Sequence, residues 1–560
     1  MTVLSALFAT LAFATTGFDP TTPEAEFSGV ETWTLDGEIK LWSTIQRWDD
    51  PDRSLFHPEA YNSATAWPTD SSFAPFIDVC FESTEPYSSS FLLHLGLNES
   101  VAQGTPILFV PGAGDNASRG FITLATKMDN LVRPVYAMTF AHPHGDVFLQ
   151  AEAVADAIAV IKARTGAEQV DLVGHSKGGI AAVVYTSHTA NADWGDADYE
   201  SIGTPYRGDV RRLLLIATPL GGIDTTYRWS ALNYASLEAD AALSPSSWKT
   251  YYPSTTAVWA LNDSLADQDY APDGADLFPG QRQLVARQDY PLPGSQLWLG
   301  GYALQPDWWT TYEGGLGLWS NSDGIDAAVA DGGYLIGRLA ERGVDPDVPI
   351  WLLAGANPLM PNGDALLEDL FAGIGPNLWS DLVDDIDAHD VPLAVDADEL
   401  DGLSKGKLVL GEITGPSDGL VFISSALYGR SVTARGAVIV EKKKVNLSHL
   451  DLLYASPITG DLLIEAGEAN PSEDLWMRGL GRRYTEADSL NWIAGVLSDD
   501  AVFDDLDDLD DSGDTGVGAP GFADADITDW QRPCGGCSTG REAPLGAVLL
   551  VLGLLYRRRE

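Results

Sequence analysis

One stretch could make a nucleophile. Val170-Asp171-Leu172-Val173 has strand character and runs into Gly174-His175-Ser176-Lys177-Gly178-Gly179. Small apolar residues follow, from Ile180 to Val184, as in a helix packed back on a sheet. A Gly-x-Ser-x-Gly turn between strand and helix is sharp and strained, and it lifts the serine hydroxyl clear of the strand ends. A seryl hydroxyl is a poor nucleophile at neutral pH. It needs a neutral imidazole to take its proton and a buried carboxylate to fix the tautomer of that imidazole.

Several other histidines compete for attention. Ala141-His142-Pro143-His144-Gly145-Asp146 brings two imidazoles and a carboxylate together, but Pro143 stiffens the backbone between them and no further Cys or His cluster completes a ligand set. A rim loop near the serine is the preferred reading there, with no metal. His57 and His94 read as surface or packing residues, His389 as solvent-facing, and His175 as a residue that points away from the serine and packs the turn.

The elements around the serine follow a regular order. Thr105 to Val110 is a continuous apolar run, as expected of a strand buried on both faces, and it empties into Pro111-Gly112-Ala113-Gly114. Val135 to Phe140 is the next strand. Ala151 to Arg164 carries Val154, Ile158 and Ile161 at helical spacing. Arg211 to Ala217 follows the serine's helix and ends in Thr218-Pro219-Leu220-Gly221-Gly222. Upstream, Gly29 to Leu35 and Ser90 to Leu95 alternate as antiparallel edge strands do. Val348 to Gly355 restores the core pattern after an interruption, and Ala437 to Val440 is the last strand. Strand, helix and strand in this succession favour a mostly parallel sheet flanked by helices.

These motifs resemble those of secreted lipases of the α/β-hydrolase family. The Pro111-Gly112-Ala113-Gly114 turn is similar to the Pro-Gly-x-Gly loop of some fungal lipases and the His-Gly-x loop of bacterial ones. The resemblance implies that the backbone N–H groups of Ala113 and Lys177 form an oxyanion hole. The Thr218-Pro219 strand end is shared as well. Gly415-Pro416-Ser417-Asp418-Gly419-Leu420-Val421 resembles the segment that supplies the triad acid, and Val445 to Tyr454 the loop that delivers the catalytic histidine. The implied triad is Ser176, Asp418 and His449, in the order usual for this fold. Asp224 is the runner-up for the acid. The resemblance covers about residues 100 to 225 and 345 to 455 at the level of motifs.

The expected organisation is a signal peptide over 1–17 and the first part of the core over 18–224. An inserted cap or lid occupies 225–345, the second part of the core 346–498, an acidic low-complexity linker 499–530, and a sorting tail 531–560. The cap is crowded with Tyr227, Trp229, Tyr234, Trp248, Trp259, Trp298, Trp308, Trp309 and Trp319, whose faces suit an acyl chain or an oily interface. Cys534-Gly535-Gly536-Cys537, the apolar run Ala543 to Tyr556 and Arg557-Arg558-Arg559 resemble the myxobacterial-type C-terminal sorting tail, the MYXO-CTERM pattern. That resemblance implies export, membrane association through the tail, and a cell-surface location.

Composition narrows the partners. The formal net charge is −48 over 560 residues, which argues against nucleic acid and anionic membrane surfaces. Three cysteines hold no disulfide framework together, and Cys80 reads as a small buried residue. The expected function is a carboxylic ester hydrolase, with lipids as the first substrate class and no organic cofactor. A structural calcium ion and the oligomeric state are open. Open too are a polyester depolymerase, an acyltransferase or a peptidase on the same triad, and a non-catalytic surface-binding module on a hydrolase scaffold.

Overall fold

The computed structural model describes, with short breaks, residues 18–50, 80–187, 204–225, 279–288, 315–361 and 397–498. The signal segment, His57, the named cap aromatics, His389, the acidic linker and the tail with Cys534 and Cys537 lie outside the described residues.

A nine-stranded sheet organises the chain. Its strands are β1 (Ala25–Trp33), β2 (Ile39–Trp48), β3 (Phe91–Leu95), β4 (Ile107–Val110), β5 (Val135–Phe140), β6 (Val170–His175), β7 (Val210–Ile216), β8 (Ile350–Gly355) and β9 (Ile439–Val445). They lie side by side as β1-β2-β3-β5-β4-β6-β7-β8-β9. Pairing is antiparallel from β1 through β5, and parallel from β5 across to β9. The β5-β4-β6 exchange, with parallel neighbours joined through helices, is the α/β-hydrolase architecture, expected from the alternating elements. β2 has no counterpart in the sequence reading. Its Ile-Lys-Leu-Trp-Ser-Thr-Ile-Gln-Arg-Trp run is broken by charge, and it becomes a strand through its two neighbours.

The central strands are apolar at nearly every position because helices cover both faces. Leu108 and Val110 of β4 pack with Leu172 of β6, Leu213 and Leu215 of β7, and Leu352 of β8. That face is covered by α2 (Val147–Thr165) through Val154, Ile158 and Ile161, and by α3 (Lys177–Thr186) through Ile180 and Val183. Ile107 and Phe109 point to the other face, with Val173, Leu214, Ile216 and Leu353. There they meet α1 (Ala117–Asp129) through Phe121, Leu124 and Met128, and a later helix, α5 (Asp474–Ala487), through Trp476, Leu480 and Tyr484. Two cores on the faces of one sheet follow directly from the period-two alternation of strand side chains.

Helix α2 begins four residues earlier than its periodic apolar pattern suggests. Asp146 caps it by accepting from Leu149 N at 3.0 Å, and Gly166 ends it in the left-handed region at φ 72°. A short helix, α4 (Pro279–Gln283), belongs to the inserted region. It docks on the loop that precedes α2.

The expected surface anchor requires correction. Among the described residues no helix is long and apolar enough to cross a membrane. The tail itself lies outside them, but its apolar run, Ala543 to Tyr556, has only 14 residues. The membrane partner, the cell-surface location and the sorting-tail assignment that implied them are withdrawn.

Candidate active site

The turn after β6 carries backbone strain at one residue that is not glycine. Ser176 has φ 52° and ψ −129°, a conformation that side-chain-bearing residues rarely adopt. Neighbours hold it there. Ser176 N donates to Ile216 O of β7 at 2.9 Å, and Gly179 N donates to Ser176 O at 3.0 Å. Gly178 must lack a side chain because a Cβ would collide with the main-chain oxygens of Val110 and Pro111. The serine itself is half-buried at the head of α3.

Sheet register brings the Gly112–Gly114 turn to this serine. Val110, the last residue of β4, pairs with Gly174 of β6, so the residues after each strand emerge side by side. Gly112 lies so close that a Cβ there would sit 2.9 Å from Ser176 Cβ and 3.3 Å from His175 Nδ1. Ala113 follows at once. Lys177, the residue after the serine, opens α3. Backbone N–H groups at a helix start are free of intrahelical partners, so they suit developing negative charge.

Asp418 and His449 meet at the carboxyl ends of β8 and β9. His449 Nδ1 lies 2.8 Å from Asp418 Oδ2. A carboxylate accepts, so Nδ1 is the donor of this bond. A second bond runs along the main chain, His449 N to Asp418 O at 2.8 Å. The other carboxylate oxygen, Oδ1, accepts from Leu420 N at 3.0 Å and Val421 N at 2.7 Å. Asp418 is fully buried and His449 is 3% exposed. Asp224 is buried on the neighbouring segment after β7. The next residue, Thr225, donates through Oγ1 to Leu420 O at 3.0 Å, which ties that segment to the Asp418 loop.

His175 also reaches this group, and sequence reasoning did not foresee how. It was expected only to pack the turn. Its Nε2 lies 3.1 Å from His449 O, and the two imidazole centroids are 4.8 Å apart. Burial, and then the charge of His449, drive its pKa well below the ordinary histidine range. The signal was its position beside the serine, but its partner is 274 residues away.

The His142–Asp146 loop is buried rather than a rim. Gln281 of α4 bonds His144 Nδ1, and Gln283 donates to Asp146 Oδ2 at 2.6 Å while accepting from Val147 N at 2.8 Å. Gly280 N donates to His144 O at 3.1 Å. The Gly280 backbone also lies against the Lys177 side chain, whose Nζ bonds Gln150 Oε1 beneath full cover. The loop is therefore a seat for part of the inserted region, with glutamines that no sequence motif marks. Among the described residues no three His, Cys, Asp or Glu side chains converge as a metal site.

No family model matches the chain, and no curated protein matches it. Solved structures with some likeness include the mature form of the Bacillus licheniformis lipase BlEst2, at 13% identity over 68% of this chain and 98% of that one, with a TM-score of 0.29. The lin2722 gene product of Listeria innocua stands at 13% identity over 64% and 92%, with a TM-score of 0.25. Aspergillus fumigatus lipase B stands at 18% over 23% and 29%, with a TM-score of 0.18. Likenesses this distant carry no argument about chemistry. Strand order and the strained turn show the fold, that of an α/β-hydrolase.

Proposed function

We propose that this chain is a serine hydrolase of carboxylic esters, with lipid esters as its first substrate class. The observation that carries the reading is the buried His449–Asp418 pair at the carboxyl end of a sheet whose strained turn presents Ser176. Ser176 Oγ attacks the acyl carbon, and His449 Nε2 takes its proton. Asp418 holds the Nδ1–H tautomer and stabilises the imidazolium that forms. The N–H groups of Ala113 and Lys177 receive the charge on the carbonyl oxygen as the tetrahedral intermediate develops. His449 returns the proton to the departing alcohol. Water, activated by the same imidazole, then releases the acid from the acyl-enzyme. No organic cofactor takes part.

The hydrogen bonds of Asp418 favour it as the acid. Asp418 has one oxygen on the imidazole and the other on two backbone N–H groups, so it is fixed in place without a competing cation. The crowded tryptophans and tyrosines of the inserted 225–345 region favour an apolar acyl group. The core halves are 18–224 and 346–498.

The test pairs an active-site label with a substrate series. A fluorophosphonate should label the native protein and leave Ser176→Ala unlabelled. Equal labelling of both would remove the serine mechanism. Among p-nitrophenyl esters of increasing chain length, turnover should rise toward longer acyl chains and respond to oil droplets. A maximum at short chains with no interfacial response would remove the lipid preference and leave a simple esterase.

A further inference from the structure

We propose that His175 is a positioning residue for the base: through Nε2–H it holds the main-chain carbonyl of His449, and so the imidazole of His449. The inference rests on the ester-hydrolase reading above. His175 is the last residue of β6, immediately before the strained turn at Ser176. The carbonyl of His449 can only accept, so the 3.1 Å contact makes Nε2 of His175 the donor. With the 2.8 Å bond from His449 N to Asp418 O, both main-chain polar groups of the base are then held. The rotation of the residue that carries the imidazole is fixed from both sides.

The same ring touches the other parts of the site. Its centroid lies 4.8 Å from that of His449, at an interplanar angle of 42°. It is the covalent neighbour of Ser176. Its Nδ1 faces Gly112, close enough that a Cβ there would lie 3.3 Å away. One rigid, flat side chain, 2% exposed, therefore lies between nucleophile, base and oxyanion loop. Nδ1 has no hydrogen-bond partner among the described residues, which fits the neutral Nε2–H tautomer. A second ring proton would find no acceptor. Burial keeps the ring neutral and spares the site a fixed positive charge beside the base.

Two substitutions separate donor from ring. His175→Gln places an amide N–H where Nε2 stands and discards the ring. His175→Phe keeps a ring and discards the donor. Each is compared with wild type by kcat per fluorophosphonate-titrated site, which counts only folded, reactive serines. His175→Phe should lose about tenfold in kcat at unchanged KM, because a displaced base misaligns proton transfer, while His175→Gln stays within about threefold. Wild-type kcat in His175→Phe, or an equal loss in both variants, overturns the proposal. If His175→Phe does not fold, His175→Asn replaces it, since its amide reaches only the Nδ1 position. The same loss supports the proposal and wild-type kcat overturns it. If wild type itself is not titrated at Ser176, the hydrolase reading fails first and takes this one with it. Normal titration with an indifferent His175 overturns only the positioning role.

Discussion

Two buried aspartates at opposite ends of the parallel strands show how one residue type is put to different use. Asp171 sits near the start of β6 and Asp418 beyond the end of β8, and both are fully buried. Asp171 is surrounded by cations. Its Oδ2 accepts from Arg133 Nη2 at 2.7 Å and from Arg211 Nη2 at 2.7 Å, and its Oδ1 from Arg211 Nε at 2.8 Å. Asp418 has backbone N–H groups and one imidazole. A carboxylate already neutralised by two guanidinium groups ties strands together and has little field left for a new cation. A carboxylate held by neutral donors keeps its field for the one group that can become charged, His449. In the proposed mechanism it is the nature of its partners, not burial alone, that suits Asp418 to the part of the acid.

The contrast can be broken most directly at the serine. Ser176→Ala should cut ester turnover by about a millionfold, as removing a nucleophile does, with the thermal midpoint almost unchanged. Next in size, Asp418→Asn should lower kcat by about ten-thousandfold, because the amide favours the wrong tautomer of His449. Circular dichroism and the melting midpoint should stay near wild type. If Asp418→Asn keeps its kcat, the acid lies elsewhere, with Asp224 the first alternative.

Asp171→Asn should do the reverse. The buried Arg133 and the partly exposed Arg211 lose their counter-charge, and unfolding in urea should show a loss of about 3 kcal/mol. Turnover per titrated serine at low temperature should remain within about twofold of wild type, since the change lies at the far end of the strands from the serine. A large fall in kcat per site would mean that the two ends of the sheet are not separable.

The smallest effect concerns protons taken up on unfolding. Burial pulls the pKa of His94 down to about 3, and its Nε2 lies 3.0 Å from Thr139 Oγ1. An unfolded chain protonates this imidazole near pH 6.5, whereas the native form resists until about 3. Between those values the unfolded state binds more protons, so stability falls as pH falls, by up to about 1.4 kcal/mol per pH unit for this group. Above the unfolded value the effect vanishes. Urea midpoints at pH 7 and pH 5 should differ less in His94→Gln than in wild type, with the pH dependence of kcat per site unaltered. An unchanged slope in the variant would show that His94 is not responsible.

Much of the core was legible because its signals are local. The continuous apolar run ending at Val110 announced a strand covered on both faces, and the Leu213–Ile216 run marked the strand after the serine's helix. The Gly-x-Ser-x-Gly turn announced its own strain. β2 was not legible: Lys40, Ser43, Gln46 and Arg47 interrupt its apolar pattern, and pairing with β1 and β3 decides the matter. The seat formed by Gln281 and Gln283 was equally silent, since a glutamine has no spacing rule and bonds whatever the tertiary fold brings near.

The sequence by itself determined the elements, their order, and a short set of residues able to act as nucleophile, acid and base. It did so because strand, helix and turn preferences depend on neighbours a few positions apart. Only the tertiary structure set the 2.8 Å contact between His449 Nδ1 and Asp418 Oδ2, and brought His175 Nε2 to His449 O across 274 positions. Those contacts depend on the register of parallel strands, where adjacent carboxyl ends converge whatever their separation along the chain. Local patterns can nominate Asp418 and His449, but they carry neither the distances nor the His175 contact.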